Sequence, residues 1–266
     1  MKCAFAKVFA LCLLWLGGGE TLARAPTQLG PAVMPEDYPE KILFLGNSFT
    51  YYNDGLHKHY GNLLRAADLY RTDRNKLRML TYSGSGLWEH SAALHSALIN
   101  DRWDAVVMHD YSNGPITEWD RFVSASDALG GIARAQDTTP ILMMTWAYAG
   151  QPEMTLKLAE AYTKRGKDLG AKVIPVGLAF AAAVQQLGID LYSPDLRRFD
   201  SGQPVYEQTI KHPSLAGTYL AACTVYAALT GRTPEGLIYT AGLDPEVARD
   251  LQRVAFLTVQ SYQHKY

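Results

Sequence analysis

Five short apolar runs, each followed by a segment of helix length, constrain this chain more than any other feature. The runs are Lys41-Ile-Leu-Phe-Leu45, Lys76-Leu-Arg-Met-Leu-Thr-Tyr82, Trp103-Asp-Ala-Val-Val-Met108, Pro140-Ile-Leu-Met-Met-Thr-Trp146 and Lys172-Val-Ile-Pro-Val176. Near-continuous apolar character, rather than polar–apolar alternation, reads as strands buried on both faces. Segments 55–69, 88–99, 122–135, 154–169 and 178–187 read as the intervening helices. This rhythm predicts an α/β protein: a three-layer, doubly wound sheet of about five parallel strands, flavodoxin-like in outline. Residues 188–211, with Pro194, Gly202 and Pro204 among charged residues, break the rhythm and read as a long surface loop. Long loops of this kind often border functional sites. Helices are again expected over 215–229 and 245–262.

The N-terminus has a different character. Lys2 and Lys7 flank the start of an apolar stretch, Val8 to Leu16, which is followed by small residues and Ala23-Arg24-Ala25. That order reads as a secretory signal peptide over residues 1–25, leaving 26–266 as a single domain. Cleavage after Ala23 is the alternative, because Pro26 sits poorly just past a cut at Ala25. The apolar stretch is too short for a stable membrane anchor, so the expected location is secreted or periplasmic. Cys223 is then the one cysteine of the mature chain, and no internal disulfide can form. It lies in an apolar, helical-looking run and reads as a small buried hydrophobe. A net charge of -1, with no Lys/Arg-rich tract, excludes a general nucleic-acid binder.

In doubly wound sheets ligands bind beyond the carboxyl ends of the strands. Three segments of suggestive chemistry fall there and a fourth follows the long loop. Gly46-Asn47-Ser48-Phe49-Thr50 follows the first strand and presents a serine hydroxyl at the sheet edge, although a plain capping turn has the same composition. Tyr82-Ser83-Gly84-Ser85-Gly86 follows the second, where glycines let a backbone N–H approach a ligand. His109-Asp110-Tyr111-Ser112-Asn113-Gly114 follows the third, and Asn113 could donate a side-chain amide to an oxyanion. Lys211-His212-Pro213-Ser214 places His212 where a loop enters a helix, a stiff position for a general base.

Taken together, these segments resemble the SGNH (GDSL-like) hydrolase superfamily over residues 40–260, and more closely a secreted branch with Gly-Asn-Ser-Phe-Thr as nucleophile block. The stretch His212-Pro-Ser-Leu-Ala-Gly-Thr-Tyr-Leu-Ala-Ala222 carries the resemblance most specifically. It implies Ser48 as nucleophile and His212 as base. The implied oxyanion hole is made by the Ser48 N–H, the N–H of Gly84 (or Gly86) and the Asn113 side chain. No cofactor and no metal is implied. Two departures stand out. The third block keeps only its asparagine, and the aspartate common three residues before the histidine is here Thr209. Three arrangements remain open: a Ser48–His212 dyad, a carboxylate supplied by the loop, or a backbone carbonyl orienting the ring. Asp200 and Glu207 are the nearest loop carboxylates in sequence, with Asp195 behind them.

The expected activity is ester hydrolysis through an acyl-enzyme, removing O-acetyl or acyl groups from a small-molecule or glycan ester. Tyr51, Tyr52, Trp88, Tyr111, Trp146 and Tyr148 could stack on sugar rings, or pack in the core and its rim. The competing expectations are a lipase or thioesterase, and a non-catalytic glycan-binding protein on the same scaffold. Metal chemistry through His57, His59, His109 or His212 is disfavoured, because no carboxylate-rich ligand pattern accompanies them.

Overall fold

Each of the five apolar runs forms a strand in the computed structural model, which describes residues 38–266. The expected signal peptide, residues 1–25, lies outside the described residues. The strands are β1 (Lys41–Gly46), β2 (Lys76–Thr81), β3 (Ala105–Met108), β4 (Thr139–Met143) and β5 (Lys172–Ile174). They pair in parallel in the order β2-β1-β3-β4-β5. The helices are α1 (Ser48–Tyr51), α2 (Leu56–Ala66), α3 (Ser91–Asn100), α4 (Gly114–Thr117), α5 (Trp119–Arg134), α6 (Met154–Leu169), α7 (Val176–Leu187), α8 (Leu215–Thr230) and α9 (Pro245–Lys265).

The period of two along a strand divides these apolar runs between two cores. Ile42, Phe44, Ala105, Val107, Ile141 and Met143 point to one face, under α2, α7, α8 and α9. Leu43, Leu45, Val106, Met108 and Leu142 point to the other, under α3, α5 and α6. Covering on both faces is why β1, β3 and β4 read as unbroken apolar runs, while the edge strand β2 keeps Arg78 exposed. Helix α8 packs against α2, α7 and α9, and nearly all of it is buried, Cys223 included. A helix apolar on every side needs such neighbours. Burial pushes the Cys223 thiol up, so it stays protonated.

The order 2-1-3-4-5 leaves a switch point between β1 and β3, where the chain leaves in opposite directions and a crevice opens at the carboxyl ends. The segment expected as a plain loop is more ordered than that. Leu196–Asp200 (β6) and Gln203–Tyr206 (β7) form an antiparallel hairpin. Its two-residue turn, Ser201 and Gly202, has positive φ at both positions, 49° and 81°. That is the backbone two-residue hairpin turns favour, because its twist matches the strands. No helix among the described residues is long and apolar enough to cross a membrane.

Candidate active site

The turn after β1 sets the position of Ser48. Asn47 caps α1, its Oδ1 accepting the Phe49 N–H at 3.1 Å. Its Nδ2 donates to the carbonyls of Ser85 at 2.9 Å and Asp110 at 3.3 Å, tying together the segments that follow β1, β2 and β3. Below this turn His109 is fully buried. A Cβ at Gly46 would lie 2.2 Å from the His109 Nε2, so the ring demands glycine there. His109 Nδ1 donates to the Asp110 carbonyl at 2.9 Å, and Nε2 accepts from the Thr50 hydroxyl at 2.7 Å. Burial lowers the His109 pKa to about 4, so the ring is neutral and serves as a strut.

Ser48 opens onto a cavity of about 200 Å³, lined also by Ser83, Gly84, Tyr111, Ser112, Lys211 and His212. The His212 Nε2 lies 2.7 Å from the Ser48 hydroxyl oxygen. On the far side of the ring, Nδ1 donates to Asp195 Oδ2. The other Asp195 oxygen accepts the Tyr52 hydroxyl at 2.7 Å, and the Tyr52 ring stacks on His212 with centroids 4.3 Å apart. Burial, and then the Asp195 carboxylate, push the Tyr52 phenol up, so it remains a donor. A carboxylate at Nδ1 leaves Nε2 unprotonated and free to accept from serine.

The aspartate on His212 is therefore Asp195, and the expectation of Asp200 or Glu207 is corrected. Asp200 lies on the hairpin and Glu207 just past its second strand, and both are exposed. Asp200 stands 3.6 Å from Arg198, and Glu207 3.7 Å from Arg197. Hairpin pairing accounts for the difference. The Glu207 N–H donates to the Asp195 carbonyl at 2.8 Å, and the Ser193 N–H to the His212 carbonyl at 2.9 Å. An isolated bridge, Tyr192 to Pro213, closes the base. A residue 17 positions before the histidine is thereby folded back beside it.

Asn113 is also displaced from its expected place. It is the residue before α4, its side chain makes no capping bond, and it does not line the Ser48 cavity. The residues after β3 that do line it are Tyr111 and Ser112, because the chain has already turned into α4 one residue later. Gly84 lines the cavity with φ +67°, and a Cβ there would meet nothing within 4 Å. Backbone conformation, not crowding, is the reason for glycine at this position. Gly86 is excluded as a donor, since its N–H is committed to Glu89 at 2.9 Å. The N–H groups of Ser48 and Gly84 find no backbone acceptor among the described residues.

Among the aromatic residues singled out, Trp146 is core: it is fully buried, stacked between Phe49 and Phe180 at 4.0 and 4.3 Å. Trp88 lies under the Arg121 guanidinium. Tyr111 stands at the cavity, and Tyr148 bonds the cavity residue Ser112 at 2.7 Å. His59 bonds the Asn53 carbonyl and Tyr239, and among the described residues no cluster of three His, Cys, Asp or Glu could hold a metal ion.

The parallel sheet of order 2-1-3-4-5 with helices on both faces agrees with what known structures show. A candidate SGNH hydrolase from Slackia heliotrinireducens is 27% identical, over 70% of this chain and 96% of its own, at a TM-score of 0.53. The chain belongs to the SGNH hydrolase superfamily. A DUF4886 family protein from Bacteroides uniformis superposes at 0.61 with 21% identity, over 83% of this chain and 94% of its own. An acetylxylan esterase from Geobacillus stearothermophilus superposes at 0.51 with 16% identity, over 70% and 92% of the two chains. These two likenesses speak for the SGNH fold. No protein-family model and no curated protein matches the sequence.

Proposed function

We propose that this SGNH protein is a serine carboxylic-ester hydrolase that removes small acyl groups, acetyl above all, from carbohydrate. The observation that carries the reading is the continuous line Asp195–His212–Ser48, ending in a cavity beside two unbonded N–H groups. His212 Nε2 takes the Ser48 proton as the hydroxyl oxygen attacks the ester carbonyl. Asp195 stabilises the imidazolium that forms. The N–H groups of Ser48 and Gly84 hold the oxyanion. The imidazolium then protonates the leaving alcohol, and water repeats the sequence on the acyl-enzyme.

The cavity of about 200 Å³ is smaller than ordinary ligand pockets of roughly 300–1,000 Å³, which favours a short acyl group over a lipid chain. Tyr111 at the cavity and Tyr51 bonded to the cavity residue Ser83 offer rings for a sugar. Two acetylxylan esterases among the structural neighbours act on acetylated carbohydrate, and the same class is the natural one to try here.

The test is hydrolysis of 4-nitrophenyl acetate together with labelling by a fluorophosphonate probe. Wild type should turn over the ester and label at Ser48, and Ser48→Ala should lose both, with kcat down by about 10⁴ or more. Folded wild-type protein that neither labels nor hydrolyses would leave only the glycan-binding reading.

A further inference from the structure

We propose that Lys211 and Tyr111 form a carboxylate subsite beside Ser48, so that the preferred ester is carried by an acidic sugar of the uronic acid type. The inference rests on the hydrolase reading and names the substrate of that same site.

Lys211 is an unusual residue for its position. Lysine ordinarily reaches into solvent or pairs with a carboxylate. Here it lines the nucleophile's cavity, and no acidic side chain lines that cavity with it. The nearest carboxylate in the machinery, Asp195, has both oxygens occupied, by His212 and by Tyr52. Among the described residues Lys211 makes no ion pair, and its one side-chain bond is to the Tyr111 hydroxyl at 3.3 Å.

Its location is fixed by backbone bonds. The Lys211 carbonyl accepts the indole N–H of the buried Trp146 at 2.9 Å, and the neighbouring Ile210 carbonyl accepts the Ala149 N–H at 2.9 Å. The ammonium then lies 5.2 Å from the Tyr111 ring centre and 5.9 Å from that of Tyr148. Aromatic faces at this range attract and restrain a cation without neutralising it. The result is a positive charge, held in place and still in need of an anion.

The donors left over define that anion. Lys211 keeps two N–H donors after its bond to Tyr111. The Tyr111 oxygen accepts from lysine, so its own proton is free. Two separate donors, one charged and one neutral, match the two oxygens of a carboxylate. There is no arginine fork and no second cation in the cavity, which is what a dianionic phosphate would call for. A charge-assisted bond of this kind is worth about a ten- to hundredfold preference.

The probes are O-acetylated methyl glucoside and O-acetylated methyl glucuronide, which differ in one carbon: a CH₂OH in the first, a carboxylate in the second. Wild type should show kcat/KM at least about tenfold higher on the glucuronide, with the ratio falling as salt is added. Lys211→Met should bring the ratio close to one, Lys211→Glu should invert it, and Tyr111→Phe should lower it in part. A wild type without preference overturns the subsite. So does a ratio unchanged in both lysine variants, or an equal loss on both sugars, which would place Lys211 at the oxyanion instead. If wild type hydrolyses neither sugar nor 4-nitrophenyl acetate, the hydrolase reading fails. Calorimetry with free glucuronate then judges the subsite alone: binding lost in Lys211→Met supports it, and binding retained or absent in wild type overturns it.

Discussion

The sheet and the excursion between α7 and α8 each contribute part of the site, but they are held by different forces. Ser48 and Gly84 sit on turns that leave β1 and β2, strands whose side chains interlock with two buried cores. Asp195, Lys211 and His212 ride on two legs joined by a handful of hydrogen bonds, below a hairpin whose residues are mostly exposed. Packing in a core is collective, so the place of Ser48 is set by many contacts at once. His212 and Asp195 are placed by bonds that can be cut one at a time. The geometry of the line therefore depends on the weaker region, while the stability of the protein depends on the stronger.

The largest expected effect separates the two. Asp195→Asn keeps the shape but offers the His212 ring an amide in place of a charge, and kcat should fall by about 10⁴, as loss of the triad aspartate does elsewhere. The melting temperature should change little, since Asp195 lies outside both cores. Asp200→Asn and Glu207→Gln, on the same excursion, should leave kcat within about twofold. If the Asp195 and Asp200 variants were equally impaired, the hairpin would be acting as a whole rather than through one carboxylate.

What could be read from the sequence divides along the same line. Strands of a covered sheet announce themselves as apolar runs: all five strands overlap the runs, and the turns carrying Ser48 and Gly84 follow the first two. His212 was legible because it stands just before an apolar helix. Asp195 ranked only behind Asp200 and Glu207, because its proximity comes from pairing between legs 17 residues apart, and the family's usual spacing points to Thr209 instead. A signal for it did exist. Ser201-Gly202 between Leu-Arg-Arg-Phe and Pro-Val-Tyr is a hairpin pattern, and folding there brings Pro194-Asp195 back onto the return leg. Asn113 stands off the cavity for a smaller reason: the chain enters α4 immediately after it, and a one-residue difference in where a helix begins decides which side chains line a cavity.

Acid should act first on the sheet region. His109 and His90 are buried, and burial holds each near pKa 4, well below the 6.5 of an unfolded histidine. Between those values the unfolded chain binds more protons than the folded one, so stability falls as pH falls from 6.5 toward 4. Each pH unit costs about 1.4 kcal/mol per histidine in that window. Urea unfolding at pH 7 and pH 5 should therefore differ by a few kcal/mol in wild type. The difference should shrink in His109→Gln, which starts less stable but has one group fewer to titrate. An equal slope in the two proteins would mean that the acid sensitivity comes from elsewhere.

The smallest expected effect lies at the join of the two regions. Tyr52 follows α1, on the sheet side, yet it bonds Asp195 and stacks on His212, both on the excursion. Tyr52→Phe keeps the stacked ring and removes one hydrogen bond to a charged group, worth about 1.5–3 kcal/mol at most and less where water can replace it. Asp195 is about a quarter exposed, so water can reach the vacated oxygen. The expected loss is about tenfold or less in kcat, with KM unchanged, because the phenol touches the aspartate and does not line the Ser48 cavity. Tyr52→Ala removes the ring as well and should cost more than the hydrogen bond alone. If Tyr52→Phe and Tyr52→Ala were equal, the bond would be the whole tie; if only Tyr52→Ala lost activity, the stacked face would be what carries order from the packed sheet to the hydrogen-bonded legs.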